Sequence, residues 1–330
     1  MKPVFVPNYY TNFSCIASAC CHSCCIGWEI DVDGEALSRY ASVTGELGDR
    51  LRRSIDYDAD PPCFILTEDE RCPFLNQNGL CDLICELGED SLCQICSDHP
   101  RFYNRLPDRV EAGLGLCCEA AAALILSQTE PFSVVRLPDD AREVRSLNGC
   151  GEALDRDPFV ERALEMREGL LAILCDRRLP LGDRIRHALG CFDIDLTEES
   201  PLLRDYGELE NLLRNMERLD PAWDRYLDAL KGLSESPFAE LDGEEGIPFE
   251  QLLCYFLYRY FAVEADGREG ILETRLLLAI LSVSVIHAIH RALGGDPATL
   301  LEISRMYSSE VEYSEENMET LMDAIEEILF

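Results

Sequence analysis

The sequence predicts a mainly α-helical protein that opens with an irregular, cysteine-rich metal-binding module carrying short β-hairpins, and three observations carry that prediction. Of the 17 cysteines, 14 lie at or before Cys150, leaving only Cys175, Cys191 and Cys254 beyond it. From Cys15 to about Cys118, short apolar runs are broken by Cys, Gly, Pro and Asp with little helical period. Beyond about residue 130, apolar residues recur at three- and four-residue spacing, the signature of amphipathic helices. Residues 1–130 are therefore expected to form the cysteine-rich module and residues 131–330 a helical domain ending in an acidic helix.

Within the module, Trp28 to Asp33 alternates apolar and acidic residues and reads as a short strand. Phe64-Ile65-Leu66 followed by Thr67 to Glu70 suggests a hairpin, Asn76 to Gly79 a second turn, and Arg101 to Leu116 another hairpin around Pro107-Asp108. A helix is expected from Glu119. The polar stretch Leu137 to Gly151 reads as a linker. Farther on, Asp157-Pro158, Asp220-Pro221 and Asp296-Pro297 each place a capping acid before a proline whose missing N–H costs nothing at a first helical position. Helical spacing then runs through Pro248–Val263, Arg268–Leu293 and Ser314–Leu329.

The chain has 330 residues, enough for one large domain or two ordinary ones, and a hydrophobic content of 47% suits a globular protein. Its net charge is −34, and no basic residue follows Arg305 while Glu310, Glu312, Glu315, Glu316, Glu319, Asp323, Glu326 and Glu327 accumulate. Such a body repels nucleic acid and anionic membrane and attracts basic substrates. The longest uncharged apolar stretch, Leu276 to Ile286, falls short of the ~20 residues a bilayer span needs. The opening MKPVFVPNYYTNFSC lacks the apolar core and cleavage site of a signal peptide, so a cytoplasmic protein with reduced thiols is expected.

The cysteine array runs Cys15-x4-Cys20-Cys21-x2-Cys24-Cys25, then Cys63, Cys72, Cys81-x3-Cys85, Cys93-x2-Cys96 and Cys117-Cys118. Thiolates bind soft metals, and paired cysteines on turns present two sulfurs to one centre. Structural zinc uses Cys-x2-4-Cys pairs, which occur here, so zinc stays open. Against a single zinc ion, the group at Cys20 to Cys25 offers four sulfurs within six residues, with further ligands expected from Cys72, Cys81 and Cys96. Iron-sulfur clusters take four cysteines each. Cys63, Cys150, Cys175, Cys191 and Cys254, taken singly, read as core-filling thiols.

The stretch Phe13-Ser14-Cys15 to Cys20-Cys21-His22-Ser23-Cys24-Cys25-Ile26-Gly27-Trp28, with Cys72-Pro73-Phe74-Leu75, Gly79-Leu80-Cys81, Leu87-Gly88-Glu89, Cys96-x3-Pro100-Arg101 and Cys117-Cys118-Glu119-Ala120-Ala121, resembles the flagellin lysine-N-methylase family. The likeness is strong over residues 9 to about 125 and weaker beyond, chiefly at the aromatic helix from Leu252 to Phe261. Where the family typically has Cys-Pro-Glu-Ala-Ala, this chain has Cys118 in place of proline. Carried over by position, the resemblance implies Cys15, Cys20, Cys24, Cys25, Cys72, Cys81, Cys96 and Cys117 as metal ligands. It also implies a 4Fe-4S cluster, S-adenosylmethionine as methyl donor and flagellin, or a similar exported protein, as the lysine-bearing substrate. The alternative expectation is a non-catalytic cysteine-cluster protein, holding zinc or an iron-sulfur centre, for metal handling or electron transfer.

Neither usual donor site is written in the sequence. No Cys-x3-Cys-x2-Cys motif occurs, since Gly27 follows Cys20-x3-Cys24 and Gly88 follows Cys81-x3-Cys85, and no Gly-x-Gly-x-x-Gly loop follows a strand. Asp31, Asp33, Glu119 and Arg101 are acid-base or substrate-binding candidates by their nearness to the cysteines. Tyr255, Tyr258 and Tyr260 offer rings to a sulfonium, although their spacing better suits a helix face packed in the core. His287-x2-His290 lacks an accompanying acid at ligand spacing.

Overall fold

A computed structural model describes residues 2–141, 157–194, 206–233, 241, 243–263, 267–268 and 270–329. Along the chain, strand β1 (Val4–Pro7) precedes helices α1 (Gly34–Ser42) and α2 (Gly45–Arg53), strands β2 (Ile55–Asp56) and β3 (Cys63–Phe64), and helices α3 (Asp82–Leu87) and α4 (Gln94–Asp98). Strands β4 (Arg101–Arg105) and β5 (Val110–Leu114), helix α5 (Glu119–Leu126) and strand β6 (Val134–Arg136) follow. The remainder is helical: α6 (Pro158–Leu174), α7 (Leu181–Gly190), α8 (Tyr206–Asn215), α9 (Trp223–Asp228), α10 (Ile247–Tyr260), α11 (Ile271–Ala292), α12 (Pro297–Tyr307), a π-turn at Ser308–Glu312 and α13 (Glu315–Leu329). The described residues thus form a mainly helical protein.

Two compact units arise from this order: Ser14–Phe102 with Cys118–Ala120, and Met1–Phe13 with Tyr103–Cys117 and Ala121–Phe330. The second unit contains a four-stranded sheet in the order β4-β5-β1-β6. There β1 runs parallel to β5, with Val4 opposite Val110, and antiparallel to β6, with Val6 opposite Val135. A parallel pair needs a long crossover, and the cysteine-rich unit is inserted in that crossover.

Helix α11 is the core of the larger unit, buried almost without interruption from Ile271 to Ile289 and packed on α10, α12 and α13. By length and apolarity it would suffice to cross a membrane, yet 89% of its apolar window is buried inside the protein. The acid-proline starts behave as expected. Asp157 accepts a hydrogen bond from the Phe159 N–H at 2.8 Å, and Asp296 accepts from those of Ala298 and Thr299, both at 3.0 Å. Asp220 accepts from Ala222 N–H at 2.8 Å, but the α-helix after it begins only at Trp223.

Buried charge is paired in this unit. Glu111 on β5 accepts two bonds from Arg167 on α6, at 2.7 and 2.6 Å, with side-chain exposures of 0% and 2%. Glu250 on α10, also fully buried, takes both Arg177 and Arg184.

In the cysteine-rich unit, the expected strand at Trp28 to Asp33 is reduced to an isolated bridge between Asp31 and Cys63. Its alternation is real, since Ile30 and Val32 enter the core, but Asp33 already caps α1. Phe64 does lie in a hairpin, though its partner is the upstream β2, with Ile55 opposite Phe64, rather than residues beyond the turn. The Thr67–Arg71 turn itself forms, through Thr67 N–H to Arg71 O at 2.9 Å. So does the turn at Asn76, whose side chain accepts from Asn78 and Leu80 N–H while Gly79 takes φ +71. The hairpin of β4 and β5 and the helix from Glu119 also form.

Helices α1 and α2 were not expected in a module read as irregular. Three glycines conceal them, and one has a local cause: a Cβ on Gly48 would lie 2.1 Å from the Val43 carbonyl oxygen. Of the linker expected at Leu137 to Gly151, only residues up to 141 are among those described; Cys150 lies outside them.

Candidate functional site

Twelve cysteines belong to the smaller unit, and five of them, Cys25, Cys72, Cys81, Cys93 and Cys96, line one hydrophobic core with Ile30, Tyr40, Leu51 and Phe74. Local structure brings them there. The Cys72 N–H donates to the Cys25 carbonyl at 2.7 Å, which joins the first cysteine group to the third. Cys81 precedes α3, and Cys93 and Cys96 straddle the first turn of α4. Arg50 on α2 holds the Cys72 and Cys81 segments together, bonded to Asp82 at 2.6 Å and to the Pro73 carbonyl.

The thiols interact as neighbours. Those of Cys24 and Cys72 flank Cys25 and draw it well below the ordinary thiol range, while they are themselves pushed up. Cys93 is lowered by the Cys96 thiol in the same way. His99 lies near Cys25, and burial lowers its imidazole below the usual range.

A second group forms around Glu119. Its Oε2 accepts from the N–H groups of Cys21 at 2.8 Å and His22 at 3.3 Å, and lies 3.5 Å from the Cys20 sulfur. Burial first, offset by the His22 carbonyl, leaves the Cys20 thiol raised to about 11. Cys118 lies close enough to raise both Cys20 and Cys24, and Cys15 also raises Cys24. Glu119 thus ties down the Cys20–His22 loop through its carboxylate.

The structure places seven of the eight family-like cysteines, Cys15, Cys20, Cys24, Cys25, Cys72, Cys81 and Cys96, in the cysteine-rich unit. Cys117 belongs to the other unit, where it is buried and bonded with Tyr313. Cys93, absent from that set, is fully buried beside Cys96; its Cys-x2-Cys spacing was the available signal. Cys85 and Cys21 are exposed. Soft, closely grouped thiols suit a thiophilic metal centre by donor chemistry. Among the described residues, however, no three Cys, His, Asp or Glu side chains converge as the shell of a single ion would.

Several of the other candidates make structural contacts. Asp33 is the α1 cap, accepting from Ala36 N–H at 2.9 Å, and it also holds Gln94 N–H at 2.7 Å at the start of α4. His287 packs edge-on against Phe249 at 4.8 Å and burial pushes it down to about 4. Tyr258 donates to the carbonyls of Phe5 and Ala112, which anchors α10 to the sheet. Tyr255 and Tyr260 instead meet Glu312, each at 2.8 Å.

The FliB lysine N-methylase C-terminal domain family matches residues 170–330. Residues 170–330 are thus similar to the C-terminal domain of lysine N-methylases. A Flagellar biosynthetic protein FliU from Salmonella muenchen is 28% identical over 149 residues, covering 41% of this chain and 84% of that protein. Proteins named Lysine-N-methylase from Salmonella choleraesuis and Salmonella typhimurium are also 28% identical over 149 residues, but the match covers 35% of each. This chain therefore spans about a third of the length of those two lysine-N-methylase relatives. No solved structure matches.

Proposed function

We propose that this chain is a protein lysine N-methyltransferase, carrying an iron-sulfur cluster in its cysteine-rich unit and acting in the cytoplasm on flagellin or a similar exported protein. The observation that carries the reading is the match of residues 170–330 to the lysine N-methylase C-terminal domain, joined in one chain to a unit with twelve cysteines. S-adenosylmethionine would supply an electrophilic methyl group.

The chain's own residues fit parts of this task. Cys25, Cys72, Cys81 and Cys96, with Cys93 beside them, would hold the cluster, since each iron of a cubane takes one thiolate. Five thiols along one core edge are more than the four that a single zinc ion takes. The net charge of −34 attracts lysine-rich substrate surface.

An amine attacks only when neutral, and a free lysine has a pKa near ~10.4, so the enzyme must desolvate or deprotonate it. The test is incubation of anaerobically purified protein with S-adenosylmethionine and flagellin, followed by mass spectrometry of flagellin peptides. Mass gains of one methyl unit on lysine are expected. No gain on lysine, with iron and sulfide retained and a reductant tested both present and absent, would overturn the assignment.

A further inference from the structure

One buried carboxylate in the helical unit is satisfied on only one of its two oxygens. Glu312 ends the π-turn Ser308–Glu312, and its side chain is 0% exposed. Its Oε2 takes three donors: the Tyr255 and Tyr260 hydroxyls, both at 2.8 Å, and Arg259 at 3.1 Å. Its Oε1 has none. A buried acceptor left unpaired costs about 1–3 kcal/mol, and more when charged. Four further side chains of the same stretch, Ser304, Ser308, Ser309 and Asn317, also bury a polar oxygen without a partner. Insertions of the π type are frequent at functional sites.

Around this carboxylate stand three aromatic walls. The Arg259 guanidinium lies 5.1 Å from the Tyr260 ring, 5.2 Å from that of Tyr313 and 6.0 Å from that of Tyr255. Tyr255 and Tyr260 are held neutral by burial, so their hydroxyls donate to Glu312 and their ring faces remain attractive to a cation. Three tyrosines and a carboxylate make an organic-cation site, and the chain's own arginine occupies it. Arg259 keeps 11% of its side chain exposed, and Tyr260 and Tyr313 are half-buried, so the cage lies at the edge of the core.

We propose that the cage of Tyr255, Tyr260, Tyr313 and Glu312 binds the ammonium group of a lysine side chain in exchange with Arg259. One carboxylate balances one buried cation, so the two compete rather than share the site. The bare Oε1 selects the ammonium. A lysine ammonium has N–H donors to offer it, whereas a sulfonium has only charge and methyl groups. The identity of the ligand rests on the lysine-methylation reading; the existence of a cation site does not.

Binding of N-acetyl-lysine methylamide and of trimethylsulfonium to the full chain, followed by calorimetry without methyl donor, separates the two cations. The lysine amide should bind more tightly than the sulfonium. Arg259→Met should tighten lysine-amide binding at least about tenfold, or ~1.4 kcal/mol, and Glu312→Gln should weaken it by a similar factor. Should Arg259→Met fail to fold, Tyr313→Leu opens one wall while keeping the ion pair, and it should weaken binding several-fold. A folded Arg259→Met variant no tighter than wild type, or a folded Tyr313→Leu or Glu312→Gln variant that binds unchanged, would overturn the cage. Tighter sulfonium binding would overturn the lysine assignment. Methyl transfer is read separately, so failure of either result does not mask the other.

Discussion

Glu111 and Arg167, 56 residues apart, meet in a bidentate pair that is shut off from water. Such a pair costs desolvation on both sides, but removing one partner is worse because the other charge is left buried alone. Glu111→Gln should therefore destabilise the protein by about 3–5 kcal/mol in urea unfolding, and Glu111→Leu combined with Arg167→Met should recover most of that loss. Nothing in the sequence marks this pairing, because an ion pair across two elements leaves no spacing pattern. The same holds for Arg259 and Glu312. The thiols were more legible, since Cys72 and Cys81 follow the turn signals at Thr67–Glu70 and Asn76–Gly79 and Cys96 closes a Cys-x2-Cys pair. Cys117 and Cys118, adjacent in sequence, fall in different units, a division that one dipeptide does not announce.

Helix starts test the local rules. Burial works against the Asp33 carboxylate, yet the N–H groups of Ala36 and Gln94 outweigh it and hold it below the usual range. A lowered folded-state pKa means that the stabilisation is present above the unfolded value near ~3.9 and is lost as pH falls through the folded value. Asp33→Ala should cost about 1 kcal/mol at pH 7 and flatten the acid limb of the stability profile below pH ~4, measured by denaturant titration. The caps at Asp157 and Asp296 were readable because a cap and its proline are sequence neighbours. Helices α1 and α2 were not, because Gly45 and Gly48 satisfy a turn and a close approach that only the fold reveals. The alternation at Trp28 to Asp33 correctly gave the buried residues but not a strand, since its neighbour at Cys63 offers a single bridge.

Across the whole molecule, the sequence separates a cysteine-rich segment from a helical one, and the chain folds as an insertion. β1 begins the helical unit's sheet, the chain leaves to build the thiol-lined core, and it returns through β4 and β5 to complete the sheet. Only the parallel pairing of Val4 with Val110 reveals this. Iron, acid-labile sulfide and zinc measured together on anaerobically purified protein decide whether this inserted unit holds the proposed iron-sulfur cluster. A brown protein with about four iron and four sulfide per chain, lost in Cys72→Ser, is expected. A colourless protein with stoichiometric zinc and no sulfide would contradict it.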